Sequence, residues 1–92
     1  MTPVTGTYVL RLYVAGMTLR SVRAIANIRE ICTEHLVGRC DLRVIDVYQQ
    51  AELAEGEEII VLPTLVRRVP GPPRRIIGDL SDRQRVLLEL GL

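Results

Sequence analysis

The sequence predicts one α/β domain in the order strand, helix, strand, acidic connection, strand, strand, helix. The chain has 92 residues, the length of a single domain of modest size, so residues 1–92 are treated as one unit. Hydrophobic residues make up 48% of it and charged residues 25%, with a net charge of +1, which is typical of a folded chain and excludes a disordered one. Apolar runs of strand and helix type alternate with breaks at Gly and Pro, and their order gives the element order.

The first half of the chain is predicted to form a strand, a helix and a second strand. Thr7–Val14 is rich in β-branched and aromatic residues, which favours a largely buried strand. Thr18 is the predicted N-cap of a helix that runs to about Leu36, with an apolar face that begins at Leu19. Asp41–Val47 is the second strand, and a helix of this length between two strands favours a right-handed crossover and parallel pairing.

An acidic connection and a hairpin follow. The polar residues 49–58 allow one or two helical turns around Ala51–Ala54. Proline has no N–H for a sheet, so the next strand is predicted to start at Pro63 and to run to Val69. Pro70–Pro73 is the turn, and Arg74–Asp79 is the returning strand.

A short helix is predicted at the C-terminal end of the sequence. Ser81, with Gln84 three residues later, forms a capping box pattern. Val86, Leu87 and Leu90 give this helix an apolar stripe, and the helix stops before Gly91.

Several function classes are disfavoured by composition. No apolar run approaches the roughly 18 residues that span a bilayer, and Met1–Val4 lacks the features of a signal peptide, so we expect a cytoplasmic protein that does not bind membranes. Cys32 and Cys40 are separate thiols with only His35 as a possible imidazole ligand, which disfavours a zinc site or a disulfide framework. Aromatic residues are 3% with no Phe or Trp, which disfavours nucleic-acid binding. We expect no cofactor.

Collinear segments of the chain resemble the KaiB family of circadian clock proteins. The segments are Tyr8–Gly16, Ser21–Ala24, Val44–Val47, Leu53–Glu55, Pro63–Leu65 and Arg75–Arg83. The element order is also similar to that of thioredoxin-like proteins, which place a cis-proline ahead of the hairpin, where this chain has Pro63. The resemblance covers nearly the whole chain. It implies an α/β, thioredoxin-like fold, βαβ(α)ββα, with the KaiB ground-state fold, βαββααβ, as an alternative state.

The resemblance to KaiB also implies a function. It implies a non-enzymatic protein that binds the N-terminal ring of the hexameric ATPase KaiC and modulates its output through fold switching. KaiA and a KaiB-like sensor histidine kinase are the further partners that it implies. The thioredoxin-like state is expected to be a monomer and the state that binds KaiC, whereas the ground fold is expected to be a tetramer.

Two regions are predicted to bind a partner. The first helix carries a polar stripe in which cations near its start oppose the helix dipole, so a docking surface and a solvated face remain equally open readings. The resemblance implies that the acidic segment after Leu53 lies near the KaiC contact; its charge could equally pair with the basic hairpin. Asp46 is included in the predicted set, and its position in an apolar strand also predicts a bond to a backbone amide or an arginine. The predicted partner-binding residues are Arg20, Arg23, Asn27, Asp46, Glu55, Gly56, Glu57, Glu58 and Ile59, and the stripe continues to Glu30 and Glu34.

Other residues are predicted to set the balance between the two folds. Glu89 and Gly91 differ from the Gly and Asp expected in the family, and the surrounding strong helix formers favour the thioredoxin-like state. Asp79 with Ser81 is predicted to organise the turn before the last helix. The predicted structural and fold-switch residues are Pro63, Gly78, Asp79, Ser81, Glu89 and Gly91.

Two alternative functions remain open. One is a sensor-like domain that recognises KaiC for a histidine kinase, which would continue beyond Leu92. The other is a thioredoxin-type redox enzyme, which is disfavoured because Ala15–Ser21, where its dithiol would fall, contains no thiol. Cys32 lies instead on the apolar face of the first helix, where it is predicted to be structural.

Overall fold

The computed structural model describes residues 6–59 and 61–92. The predicted element order is confirmed, and most predicted boundaries lie within one or two residues of the observed ones. The predicted absence of a signal peptide concerned Met1–Val4, which lie outside the described residues. The elements are β1 (Tyr8–Val14), α1 (Leu19–His35), β2 (Cys40–Asp46), α2 (Ala51–Glu55), β3 (Thr64–Val69), β4 (Arg74–Ile77) and α3 (Arg83–Leu90).

Within residues 6–59 and 61–92 four strands form one mixed sheet in the order β2-β1-β3-β4. β1 and β2 are parallel, as predicted, with Tyr8 opposite Cys40 and Val14 opposite Asp46. β3 is antiparallel to β1 and β4 is antiparallel to β3. β2 and β4 are therefore the two edges of this sheet.

Alternate strand residues face two separate cores, as the twofold period of a strand requires. On one face Leu10, Leu12 and Leu65 pack in a cluster with the buried residues of α1 and α3. On the other face Tyr13, Ile45 and Val66 form a second cluster, against which Ala54 of α2 and its neighbours pack. The sheet is thus the middle of three layers, with α1 and α3 on one side and α2 on the other.

The start of α3 corrects one prediction. Asp82, not Ser81, is the N-cap, and its carboxylate accepts from the backbone N–H of Arg85 at 3.2 Å. The capping box at Ser81 is wrong because the Ser81 N–H already donates to Asp79 Oδ1 at 3.0 Å, which forms a turn one residue ahead of the helix. The same bond confirms that Asp79 and Ser81 organise this turn. β4 ends at Ile77, earlier than predicted, where Gly78 has φ +114°.

The end of α3 confirms that this helix stops before Gly91. Gly91 has φ +81°, in the left-handed region that glycine adopts without strain. Its N–H donates to Leu88 O at 3.0 Å, and the Leu92 N–H donates to Leu87 O at 2.8 Å. These two bonds are the pattern of a Schellman motif and satisfy carbonyls at the helix end.

The strand directions divide the loops between the two ends of the sheet. β1 and β2 finish at the end where β3 begins and β4 finishes, because Tyr13 is opposite Thr64 and Thr64 is opposite Ile77. We call this the Pro63 end; its loops are residues 15–18, 47–50, 61–63 and 78–82. The opposite end, called the Tyr8 end, contains the starts of β1 and β2, the β3–β4 turn and the last turn of α3, since Tyr8 Oη donates to Leu90 O at 3.0 Å.

Candidate functional site

Pro63 joins two loops at the Pro63 end. The Leu62–Pro63 peptide bond is cis, as the resemblance implied. Pro63 is buried, and its carbonyl accepts from the Gly78 N–H at 3.0 Å. The hydroxyl of Thr64 donates to Val61 O at 2.5 Å. Loops 61–63 and 78–82 are therefore fixed to each other at this end.

Asp46 joins the other two loops. Its Oδ1 accepts from the backbone N–H of Gly16 at 3.1 Å and from that of Tyr48 at 2.9 Å. The predicted bond from Asp46 to a backbone amide is confirmed. Gly16 has φ +59°, in the left-handed region that glycine adopts without strain, and its backbone passes close to the Tyr48 ring.

Exposed apolar side chains surround these loops. Met17 is 83% exposed, Leu19 63% and Tyr48 75%. Two more exposed apolar residues lie at the same end: Val61 in loop 61–63 and Ile77 at the end of β4. Leu19 was predicted to begin the apolar face of α1, but the buried face starts at Ser21, so that part of the prediction is wrong. No local pattern in the sequence indicates this apolar surface.

Arg20 and Arg23 lie beside the apolar surface on the first turns of α1. Both guanidinium groups are exposed, and within residues 6–59 and 61–92 neither forms a salt bridge. They help to hold the pKa of Asp79 below its ordinary value, although the hydroxyl and the N–H of Ser81 contribute more. Arg20, Gly78, Asp79 and Ser81 also line a shallow cavity of about 200 Å³.

The rest of the polar stripe on α1 is used inside the molecule. Asn27 Nδ2 donates to Asp79 O at 2.8 Å and so holds loop 78–82 against α1. Further along, Arg83 pairs with Glu30 at 2.8 Å and with Glu34 at 2.5 Å. The stripe was interpreted either as a docking surface or as a solvated face. Both interpretations now apply only to Arg20 and Arg23.

The acidic segment pairs with the basic hairpin, which was one of its two predicted uses. Glu57 Oε2 lies 2.5 Å from Arg68 Nη2. Arg75 donates to Glu57 O and, at 3.2 Å, to Glu58 O. Glu55, Gly56 and Glu58 are exposed, whereas Ile59 packs on the second core. The segment is thereby attached to the α2 side of β3 and β4.

The Tyr8 end contains a buried arginine that the sequence analysis did not single out. Arg67 is only 9% exposed. It donates to Leu90 O at 3.1 Å and to Pro72 O at 3.0 Å, and Tyr8 Oη donates to the same Leu90 carbonyl. On the surface beside it, Arg74 pairs with Glu89 at 3.1 Å. Glu89 and Gly91, predicted as fold-switch residues, therefore lie where α3 is held in place.

The two cysteines are close together, but at the Tyr8 end rather than at the start of α1. Their Sγ atoms are 2.6 Å apart. Burial, followed by the neighbouring Cys40 thiol, raises the pKa of Cys32 to about 12. In the described part of the chain no cluster of three His, Cys, Asp or Glu side chains could hold a metal ion. Among the same residues no helix is long and apolar enough to cross a bilayer.

This chain is similar to known proteins both in sequence and in structure. Residues 11–92 match the KaiB domain family. A "Circadian clock oscillator protein KaiB" of Trichodesmium erythraeum is 50% identical over 92 residues, which is all of this chain and 88% of that protein. The N-terminal domain of SasA from Synechococcus elongatus is 26% identical, with a TM-score of 0.73 over 96% of this chain and 85% of that one. A thioredoxin of Malassezia sympodialis is 19% identical, with a TM-score of 0.75 over 96% and 77% of the two chains.

The three layers, with the sheet in the middle and a cis-proline before β3, form a thioredoxin-like fold, as predicted. The first turn of α1 lacks the thiols of a thioredoxin. The predicted resemblance is also confirmed at the level of the family. The chain belongs to the KaiB family and is a KaiB-like circadian clock protein.

Proposed function

We propose that this chain is a non-enzymatic protein of the cytoplasm that binds the N-terminal ring of a KaiC-type hexameric ATPase and modulates its output. Membership of the KaiB family supports the choice of partner. Binding without catalysis agrees with the position of the thioredoxin dithiol, where this chain has Gly16, Met17, Thr18 and Leu19.

The exposed apolar surface at the Pro63 end is the observation that carries the proposal. Met17, Leu19 and Tyr48 are each more than 60% exposed on loops and a helix end that are otherwise held by hydrogen bonds. Exposed apolar side chains grouped at one end of a fold beside charged ones are typical of protein interaction sites. Arg20 and Arg23 supply the rim, with guanidinium groups available to carboxylates of a partner.

The other predicted residues take supporting roles in this proposal. Asp46 positions the Met17 and Tyr48 loops, and Asn27 positions loop 78–82. The acidic segment lies on the α2 side of the sheet, next to loop 61–63, and extends the contact. Its proposed contact residues are Glu55, Gly56, Glu57, Glu58 and Ile59.

Fold switching would then regulate binding by a population shift. If only the thioredoxin-like monomer binds, the apparent affinity is the intrinsic affinity multiplied by the population of that state. The Schellman motif at Gly91 and the bonds from Arg67 and Tyr8 to Leu90 favour that state. We propose that the ground fold, a tetramer, is the minor state in this chain. A chain of this kind would bind KaiC fast and would modulate KaiC, with KaiA or a KaiB-like sensor histidine kinase as further partners.

A KaiC-recognising sensor-like domain is a second candidate function. The similarity to the N-terminal domain of SasA favours it, although the identity there is 26% against 50% for the Trichodesmium KaiB. Competition separates the two. A chain that acts as KaiB displaces a sensor domain from KaiC and changes the ATPase output of the ring, whereas a sensor domain only occupies it.

Co-elution with a KaiC hexamer in nucleotide tests the proposal. The wild-type chain is expected to co-elute, and Met17→Ser is expected to weaken the complex about tenfold, since truncating a buried interface anchor costs more than about 1 kcal/mol. Val37→Ser is the matched control, because Val37 is 75% exposed but lies in the α1–β2 turn at the other end. Absence of a wild-type complex, or equal losses in both variants, would contradict the proposal.

A further inference from the structure

The two cysteines are brought together by the turn between α1 and β2. Cys32 lies in the last turn of α1, and Cys40 is the first residue of β2. Their Sγ atoms are 2.6 Å apart and both are free thiols. From this juxtaposition we propose that Cys32 and Cys40 form a reversible intramolecular disulfide, so that the turn is a site of oxidative modification.

The backbone of this turn holds the two residues in place. Leu36 N–H donates to Cys32 O at 3.0 Å, and Arg39 N–H donates to Leu36 O at 2.8 Å. Gly38, with φ +72°, lets the chain reverse between these bonds. Both side chains pack against the first core, so their approach is fixed by burial as well as by the turn. The turn therefore brings the two sulfur atoms next to each other.

Both thiols are partly buried rather than enclosed. Cys40 lies on β2, an edge strand, so a small oxidant can reach the pair. The chain contains 2 cysteines, and an intramolecular disulfide therefore has only one possible connectivity. In a reducing compartment the pair stays as thiols, and a disulfide formed there is transient and redox-sensing in character.

The oxidation can proceed by exchange with a small disulfide such as glutathione disulfide. Cys40 Sγ loses its proton to solvent, attacks one sulfur of that molecule and forms a mixed disulfide, and the glutathione thiolate that is released takes up a proton from solvent. Cys32 Sγ then attacks Cys40 Sγ, its proton passes to the second departing glutathione, and the intramolecular bond closes. The protein loses two hydrogens and two glutathione thiols are produced. Cys40 is placed as the first nucleophile because it lies on the edge strand β2, whereas Cys32 lies in the last turn of α1, where burial raises its pKa.

The disulfide would close a ring of the chain that includes Arg39, which contacts Tyr8. The backbone carbonyl of Arg39 accepts from the Tyr8 N–H at 2.6 Å, and its guanidinium lies 5.7 Å from the centre of the Tyr8 ring. Cross-linking restricts the unfolded chain and local opening of the loop that it closes. Oxidation is therefore expected to protect the start of β1 and the α1–β2 turn.

Mass spectrometry of the full chain in glutathione buffers tests the proposal. In oxidising buffer the monomer is expected to lose the mass of two hydrogens, to resist a thiol-alkylating reagent, and to regain both thiols on addition of reduced glutathione. The Tm is expected to rise by roughly 5–15 °C on oxidation. Hydrogen exchange of peptides that span residues 33–40 is expected to slow.

Cys40→Ser and Cys32→Ser are the matched controls, and each is expected to abolish both the mass loss and the Tm shift. The wild-type measurement stands even if a variant folds poorly, because tandem mass spectrometry locates the bond directly. Persistent mixed glutathione adducts, intermolecular dimers as the only disulfide product, or free thiols in fully oxidising buffer would each overturn the proposal.

Discussion

The Pro63 end and the Tyr8 end of the sheet use their side chains in opposite ways. At the Tyr8 end a charged guanidinium and a phenol are buried, and both donate to the last carbonyls of α3. At the Pro63 end Met17 and Tyr48 extend into solvent, while the Asp46 carboxylate accepts hydrogen bonds from backbone N–H groups of their loops. Stability of the thioredoxin-like arrangement is concentrated at one end, and the surface for a partner at the other.

The physical reason for the difference is the change in hydration free energy when each kind of side chain leaves water. Burying a charge without partners costs free energy. The buried guanidinium of Arg67 donates hydrogen bonds to the carbonyls of Leu90 and Pro72, while its Nε has no partner within the described residues. An exposed apolar side chain adds little to the stability of the fold, but it contributes favourably to the free energy of binding when a partner covers it. Substitutions at the two ends should therefore separate stability from binding.

Arg67→Met is expected to have the largest effect on stability. Methionine keeps the apolar contacts of the arginine stem but removes the charged donor to Leu90 O and Pro72 O, which lowers the free energy of unfolding by about 2–3 kcal/mol. Urea unfolding followed by circular dichroism measures it. Arg68→Met is the matched control, because Arg68 forms a surface pair with Glu57 and should cost less than about 1 kcal/mol. Equal losses in the two variants would refute a special role for Arg67.

Asp46→Ala is expected to have an intermediate effect at the Pro63 end. It leaves the N–H groups of Gly16 and Tyr48 without their acceptor and lowers the free energy of unfolding by about 1–2 kcal/mol. KaiC affinity, measured by fluorescence anisotropy on folded protein, should fall as well, since both loops of the apolar surface loosen. Asp46→Asn retains an acceptor oxygen and should restore most of both quantities; failure of that rescue would mean that the charge matters rather than the bonds.

Tyr8→Phe is expected to lower the free energy of unfolding by about 1 kcal/mol, because Leu90 O loses one of its two donors and keeps the other. KaiC affinity should not change beyond the fraction unfolded. Tyr48→Phe, at an exposed tyrosine, should leave stability unaltered. A double-mutant cycle with Arg67→Met should give a coupling energy of at least about 0.5 kcal/mol, since the two donors share one carbonyl; independence of the two residues would contradict a joint clamp.

Asp79→Asn is expected to have the smallest effect, and it depends on pH. The pKa of Asp79 is lowered in the fold, chiefly by the Ser81 hydroxyl and N–H, so the charged form is the one that stabilises. The stability contribution is therefore present above the ordinary pKa of 3.8 and is lost as the pH falls through the lowered value. The difference in urea midpoint between wild type and variant should exist at pH 7 and disappear in strong acid. A difference that grows on acidification would show that the sign is wrong.

Local patterns gave most of the fold and part of the site. The Thr18 cap, the stop at Gly91 and the parallel crossover depend on neighbouring residues and could be predicted. The Ser81 cap could not, because Asp79 competes for the same N–H. Arg67 could be distinguished from Arg68 only once α3 was known to cover the Leu65 face of the sheet.

The apolar surface and the cysteine pair were missed for a related reason. Leu19 has the spacing of a buried residue, and its exposure depends on where the sheet ends relative to α1. Cys32 and Cys40 meet because the chain reverses at Gly38. Sequence distance alone does not reveal either result, since both follow from tertiary packing.

A time course of association with a KaiC hexamer tests the central claim, that this KaiB-family chain already populates the state that binds KaiC. The freshly mixed proteins, with nucleotide, are followed from seconds to a day by anisotropy of labelled chain and by co-elution. The account predicts one fast phase that reaches full amplitude, and a slower, smaller amplitude for Arg67→Met under conditions where that variant is partly unfolded. An hours-long lag for the wild-type chain, or no complex at any time, would contradict it.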